Sequence, residues 1–362
     1  MIFCEKCFVD KEVISIIESV GVKGQCPICN HKNVYIYDTD KNDELSTLFD
    51  DFLSIYTPTS KVIEEKYPKS ETRMIKSELL NSWNIFNKIS ESDVYNIITA
   101  ICYDKYQYSS ELFDQAVIIE ELYDKNYLSQ NSLLGTNTWS DFCETLKSKN
   151  RFHTHCINLK LLEMFFSYIR KVYKKGAIFY RCRISSEDGV DKGDMGAPES
   201  KYSRDGRANA KGISCLYLGD SVKTTICEVR AGAFDYVTVG KFRLKEDIVV
   251  VDLKQINQIS PFIGLDCKVH AVNKEFLSKI NSEMSKVMRK NDSILEYLPT
   301  QYITDFIKSI EYSGKSEYAG IEYKSVMNDR GYNLAIFDQE VFECIDTTVY
   351  RINNIDYDSE II

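Results

Sequence analysis

Gly206-Arg207-Ala208-Asn209-Ala210-Lys211-Gly212-Ile213, then Cys215-Leu216-Tyr217-Leu218-Gly219-Asp220, then Thr224-Thr225-Ile226-Cys227-Glu228-Val229-Arg230, is the stretch on which the reading of this chain turns. A Gly-bounded loop presents Arg207 and Asn209. Tyr217 lies in a short apolar run that reads as a buried strand. Glu228 falls on a helix whose N-cap candidates are Asp220 and Ser221. An acid held near an arginine and a tyrosine suits chemistry on an anionic substrate that passes through a cationic transition state.

Working outward, the texture on either side is that of short strands. Ile178 to Ile184 alternates apolar and polar residues and puts Arg181 and Arg183 on one side of a strand. Residues 185–205 form a polar, Gly-containing loop around Met195-Gly196-Ala197-Pro198. Residues 237–242 and 248–253 read as further strands, and residues 272–312 return to helix. The end is β again, over residues 320–326, 332–338 and 341–349. No internal repeat and no low-complexity segment is found.

Upstream, residues 43–173 carry a helical pattern. Leu45, Leu48, Phe49, Phe52, Leu53 and Tyr56 recur at three- and four-residue spacing. Leu79, Leu80, Trp83 and Phe86 repeat it, as do Val94, Ile97, Ile98 and Ile101, and then Leu159, Leu162, Phe165, Phe166 and Ile169. These stripes read as core. Arg151-Phe152-His153-Thr154-His155 invites comparison with helical HEPN nucleases, but its Arg–His spacings depart from theirs, and it reads as a polar turn.

The first 40 residues hold Cys4-Glu5-Lys6-Cys7 and Cys26-Pro27-Ile28-Cys29, two C-x2-C turns separated by 18 residues. Each turn brings two thiolates within reach of one ion. A closed set of four, Cys4, Cys7, Cys26 and Cys29, predicts a structural Zn2+ in a ribbon-like knuckle. His31 reads as a hydrogen-bonding neighbour of that set, not a fifth ligand.

A chain of 362 residues has room for several cores, and a net charge of -9 argues against broad nucleic-acid binding. The apolar runs fall short of the roughly 20 residues a membrane span needs. The N-terminus shows no secretory signal pattern, so a cytoplasmic location with the twelve cysteines reduced is expected.

The ordered set from Tyr180-Arg181-Cys182-Arg183 through Met195-Gly196-Ala197-Pro198, Gly206-Arg207-Ala208-Asn209, Leu216-Tyr217-Leu218 and Thr225-Ile226-Cys227-Glu228 resembles the RES domain family, named for its Arg, Glu and Ser. It continues in Leu298-Pro299-Thr300-Gln301-Tyr302, Tyr323-Lys324-Ser325-Val326 and Gly331-Tyr332-Asn333-Leu334. The resemblance implies an α+β chain in three parts: a zinc ribbon over 1–40, a helical N-terminal domain over 43–173 and an RES domain over 174–350. The first two parts resemble the extension that precedes the RES domain in longer members (the HEPN/RES N-terminal type). The third is expected to be similar to the ADP-ribosyltransferase fold.

The resemblance further implies an enzyme that consumes NAD+ by hydrolysis or phosphorolysis of the nicotinamide–ribose bond, in a toxin- or defence-like role. Arg207, Tyr217, Glu228 and Ser325 match the family's catalytic positions. Arg181, Arg183, Asn209, Tyr323 and Asn333 are the expected substrate-binding residues. Residue 208 is Ala where short members have Trp, which reads as a subfamily trait. A small antitoxin covering the cleft is the implied partner, and a homo-oligomer stays open. Transfer of ADP-ribose to a macromolecule is one alternative; a catalytically inactive binding module is another.

Overall fold

The structure is a computed structural model that describes residues 1–62, 67–68, 72–288 and 293–355. The chain divides into two compact units, each built from two stretches of sequence: 1–136 with 258–274, and 137–257 with 275–362.

The first unit opens with β1 (Ile2–Cys4), α1 (Lys11–Ser19), β2 (Lys23–Gly24) and β3 (Val34–Asp38), the strands forming a small sheet in the order β1-β3-β2. Asp10 starts α1 by accepting hydrogen bonds from the Glu12 and Val13 amides. Then come α2 (Glu44–Leu53), β4 (Thr57–Pro58), β5 (Arg73–Met74), the single turn α3 (Ile75–Ser77) and α4 (Glu91–Ile101). They are followed by α5 (Tyr103–Tyr108), α6 (Glu111–Asp114), β6 (Ala116–Ile118) and α7 (Lys125–Asn131). The expected stripes are the core: α2 buries Leu45, Phe49, Phe52 and Leu53, and α4 buries Val94, Ile97, Ile98 and Ile101. Each such side chain contributes about 1.5–3 kcal/mol relative to exposure. The cysteine knuckle has no core of its own; Phe3, Cys4, Cys7, Phe8 and Cys26 lie in the same apolar cluster as Phe49, Phe52 and Trp83.

Two features depart from the helical expectation here. Residues 57–58, 73–74 and 116–118 form a three-stranded sheet, order β4-β6-β5. The 79–86 stripe is not one helix: α3 widens into a π-turn over Glu78–Ser82, Asn84 adopts φ 51°, and Phe86 bridges to Phe8. Under the π-turn lies a polar knot. Trp83 Nε1 donates to Tyr56 Oη at 2.6 Å, Lys274 Nζ sits 3.7 Å from the Trp83 ring centroid and donates to the Ser82 carbonyl at 2.5 Å, and His270 meets that ring edge-on. Burial pushes Lys274 down to about 7, with Glu78 opposing the shift, and pushes His270 down to about 3, aided by the Lys274 charge.

The second unit contains α8 (Trp139–Glu144), α9 (Leu159–Ser167), β7 (Arg170–Tyr173), β8 (Ile178–Ser185), β9 (Leu216–Gly219), α10 (Val222–Glu228), β10 (Tyr236–Leu244) and β11 (Ile248–Asp252). Helix α11 (Cys267–Met284) follows, its residues to Lys274 counted with the first unit. The rest is α12 (Leu298–Ser309), the hairpin β12 (Glu311–Tyr312) and β13 (Lys315–Ser316), then β14 (Gly320–Lys324), β15 (Tyr332–Ile336) and β16 (Phe342–Arg351). Eight strands make one sheet in the order β16-β10-β8-β9-β15-β14-β11-β7, with only β11–β14 parallel among its pairs. Residues 170–173, expected to end a helical stretch, are the edge strand β7.

The two-residue period of a strand sorts this sheet's faces. Leu216, Leu218, Leu334 and Ile336 point into a core with Phe179, Phe242 and Val250. The alternate residues, Tyr217 and Asn333, therefore face the other side. There α10 covers the β8–β10 end, its Val222, Ile226 and Val229 packing on Cys182, Val237 and Val239 at i, i+4, i+7 spacing. Among the described residues no helix is long and apolar enough to cross a membrane.

Candidate active site

The large sheet is nearly parted in its middle. Strands β8 and β9 share a single pair, Tyr180 with Gly219, and past it Arg181 reaches across to donate from Nη1 to the Tyr217 carbonyl at 3.2 Å. A cleft of about 310 Å³ opens there. Its walls include Arg181 from β8, Arg207 from the loop before β9, Tyr217 from β9, Glu228 from the end of α10, Tyr323 from β14 and Asn333 from β15. Six residues expected from sequence to act together thus line one cavity.

Glu228 is held by one oxygen. Ser325 Oγ donates to its Oε1 at 2.6 Å, and Asn333 Nδ2 donates to the same atom at 2.7 Å. The direction of the serine bond is dictated locally. Ser325 Oγ already accepts from the Met327 and Asn328 amides at 3.2 and 3.1 Å, so its one proton goes to the carboxylate. Oε2 accepts no hydrogen bond among the described residues and is left to the cleft. Helix α10 begins with Ser221, whose hydroxyl accepts from the Thr224 amide, so of the two N-cap candidates Ser221 takes the role. The turn carrying Ser325 docks on α10 through Asn328 Nδ2 and Thr224 Oγ1, 2.9 Å apart. Gly331 permits this approach: a Cβ there would collide with Thr224 and stand 2.7 Å from Asn328 Nδ2.

Tyr217 is a strut as well as a wall. Its hydroxyl donates to Asn209 Oδ1 at 2.6 Å and accepts from the Ala208 amide at 3.1 Å. Burial raises its pKa well above the ordinary tyrosine range. Asn209 is 3% exposed, and its amide nitrogen serves Ser203, Arg204, Ala210 and Ile213. It therefore shapes the loop; its side chain is not among those lining the cleft. Gly206 must be glycine, because a Cβ would stand 2.6 Å from the Tyr217 hydroxyl. Gln301, buried on α12, closes the loop from behind by donating to the Gly206 and Asn209 carbonyls at 3.0 and 2.9 Å. Tyr323, buried beside the Glu228 charge, has its pKa raised chiefly by that burial.

The arginines differ in how they are occupied. Arg207 donates from Nη1 to the carbonyls of Glu283 and Met284, both at 3.0 Å, and from Nη2 to that of Lys286. Arg183 donates from Nη2 to the Gly196 carbonyl at 2.7 Å, leaves its own buried Nε without a hydrogen bond, and does not line the cleft. Arg181 has only the Tyr217 carbonyl; its buried Nε makes no hydrogen bond and no carboxylate pairs with it among the described residues. Burial pushes its guanidinium down to about 10, with the like charge of Arg183 adding to the effect.

The family model for the RES domain matches residues 178–357. This part of the chain belongs to the RES domain family. No curated protein and no solved structure gives a significant match. Of the nine expected site residues, six line the cleft, Ser325 joins them through Glu228, and Arg183 and Asn209 stay outside it. Gln301 lies inside a quoted motif, yet its role is fixed by two backbone carbonyls. Thr224, Asn328 and Gly331 form the dock beneath Ser325, a contact between segments about a hundred residues apart.

Far from the RES domain in sequence, Cys4, Cys7, Cys26 and Cys29 place their four sulfurs within 4.8 Å of one another. Sulfur separations of 3.4, 3.7 and 3.9 Å match the roughly 3.8 Å edge of a tetrahedron with 2.3 Å metal–sulfur bonds. The donor set fits a tetrahedral thiophilic ion. His31 Nδ1 lies 3.1 Å from Cys29 Sγ, the position of a neighbour that orients a ligand.

Proposed function

We propose that the RES domain cleaves the nicotinamide–ribose bond of NAD+. The observation that carries this reading is the Glu228 carboxylate, fixed through Oε1 by two neutral donors with Oε2 facing a cleft that also holds a buried guanidinium. NAD+ supplies what each group lacks: a ribose carbon that becomes cationic and a doubly charged pyrophosphate. As the C1′–N bond breaks, its electron pair neutralises the pyridinium and nicotinamide leaves. Positive charge spreads over the ribose C1′ and ring oxygen, where Glu228 Oε2 stabilises it. Preorganisation by Ser325 and Asn333 means the carboxylate does not reorient as that charge develops. Water then adds at C1′ and releases a proton to give ADP-ribose, or inorganic phosphate adds there through one oxygen to give ADP-ribose phosphorylated at that carbon.

The residues before Glu228 on α10 are Ile226 and Cys227, so the helix offers no second acid to activate a macromolecular acceptor, which favours a small nucleophile over ADP-ribosyl transfer. The sheet parted between β8 and β9 supports a fold similar to the ADP-ribosyltransferases. The biological reading is a toxin- or defence-like depletion of NAD+. Zn2+ in the four-cysteine site would be structural: a closed thiolate set leaves no position for substrate, and the ion would tie both C-x2-C turns to one centre.

The test is to incubate the full chain and its Glu228→Gln variant with NAD+ and follow nicotinamide release, with and without inorganic phosphate. Release should fall by at least about 100-fold in the variant. Equal release from both proteins would remove Glu228 from the chemistry.

A further inference from the structure

The arginine that names the family is not the one whose electrostatics call for an anion. Arg207 commits three of its four terminal N–H donors to three carbonyls at the end of α11. A guanidinium engaged in that way ties a loop to a helix terminus, whose carbonyl end carries partial negative charge. Arg181 is the opposite case. It is charged, largely buried on β8, next to another cation, and compensated by one carbonyl only among the described residues. A buried charge without a counter-charge costs several kcal/mol and persists where something else requires it. Its Nη2 makes no hydrogen bond among the described residues and its side chain lies in the cleft wall, which together point to an oxyanion from outside the protein.

We propose that Arg181 is the phosphate-binding residue of the cleft, while Arg207 is a positioning residue that fastens the 206–212 loop to residues 283–286. The ligand chemistry is a phosphoryl oxygen, carried by the pyrophosphate of a dinucleotide or by free phosphate. The dinucleotide source rests on the NAD+ reading above; the anion site does not.

The experiment uses the full chain with Glu228→Gln, so that binding is read without turnover. Calorimetry measures NAD+, pyrophosphate and nicotinamide riboside, the last keeping the base and ribose without phosphate. Arg181→Met should weaken NAD+ and pyrophosphate by roughly 10- to 100-fold and leave the riboside within about two-fold. It should also melt a few degrees hotter than its parent, because an uncompensated charge has gone. Arg181→Lys keeps the cation without the fork and should fall between. Arg207→Met should weaken all three ligands together and melt cooler.

A cooler-melting Arg181→Met protein that loses riboside as strongly as NAD+ would make Arg181 structural and overturn the proposal. So would selective loss of the phosphate-bearing ligands in Arg207→Met. Arg181-dependent pyrophosphate binding in a protein that ignores NAD+ would sink the dinucleotide reading and keep the anion site. NAD+ binding indifferent to Arg181 would do the reverse. Free phosphate that competes with NAD+ assigns the site to the dinucleotide; phosphate that binds alongside it assigns the site to the nucleophile.

Discussion

Glu228 receives two hydrogen bonds on one oxygen, from side chains 97 and 105 residues away in sequence. Removing either donor leaves the other in place, whereas removing both frees the carboxylate to rotate. Ser325→Ala and Asn333→Ala should therefore each lower kcat for NAD+ cleavage by about 10-fold with little change in KM, and the double variant should lose more than the product of the two. Steady-state kinetics on the three proteins checks this; strictly multiplicative losses would mean the two donors act independently. Residue identity was legible here because the family motifs name the positions. What each residue touches was not. Arg207 is bound to backbone carbonyls, and a carbonyl has no letter in a sequence. The charge of Arg181 was visible, but the lack of a carboxylate beside it among the described residues was not.

At the scale of elements, the long amphipathic stripes of α2 and α4 could be read directly, because about three turns give the period time to show. Strands of two residues, as at 57–58 and 73–74, contain no alternation to detect. The β7 strand hides in a run of Lys and Arg because an edge strand exposes much of its length. The Trp83 knot was equally hidden, since residues 56, 78, 83, 270 and 274 meet only through tertiary packing, yet it has a measurable signature. Both His270 and Lys274 are favoured neutral in the folded state, with pKa values of about 3 and about 7. Their unfolded values are about 6.5 and 10.4. The unfolded chain therefore binds more protons in two windows, from about pH 10.4 to 7 through the lysine and from about 6.5 to 3 through the histidine, and stability falls as pH falls through each. The sequence holds two tryptophans, so Trp139→Phe leaves Trp83 as the sole indole reporter. Its unfolding midpoint should drop with pH in both windows. Lys274→Met should flatten the upper one, gaining on the order of 3 kcal/mol at pH 7 relative to its effect at pH 10.

For the whole molecule, the helical stripes followed by short strands and the resemblance announced a mixed α+β chain, the cysteine array a cysteine centre at its start, and the ordered motifs the RES domain. The sharing of one apolar cluster by the knuckle and the helices was not announced, because burial partners across 80 residues leave no pattern in the chain. It has a consequence for metal removal. Chelation of the cysteine site, or Cys26→Ser, should do more than loosen the first 40 residues. With thiolate–zinc binding contributing roughly 10–16 kcal/mol in small sites, loss of the ion should collapse the cluster that also contains Phe49, Phe52 and Trp83. Metal content near one zinc per chain, and a red-shifted Trp83 emission after chelation, are the expected readings. An unchanged emission would show that the helices hold without the metal.

Each unit is stitched from two separated stretches of chain, and this limits how the gene can be dissected. A single cut before residue 174, the natural place to excise the RES domain, removes β7 from its sheet and carries residues 258–274 along without the partners that bury Phe262 and Ala271. The orphaned segment would be sticky. A ribosome faces the same order of events: the amino-terminal unit stays incomplete until Lys274 has been translated, by which time five of the eight strands of the other unit's large sheet already exist. The two halves are thus born together, and any selection acting on the yield of one acts on the other.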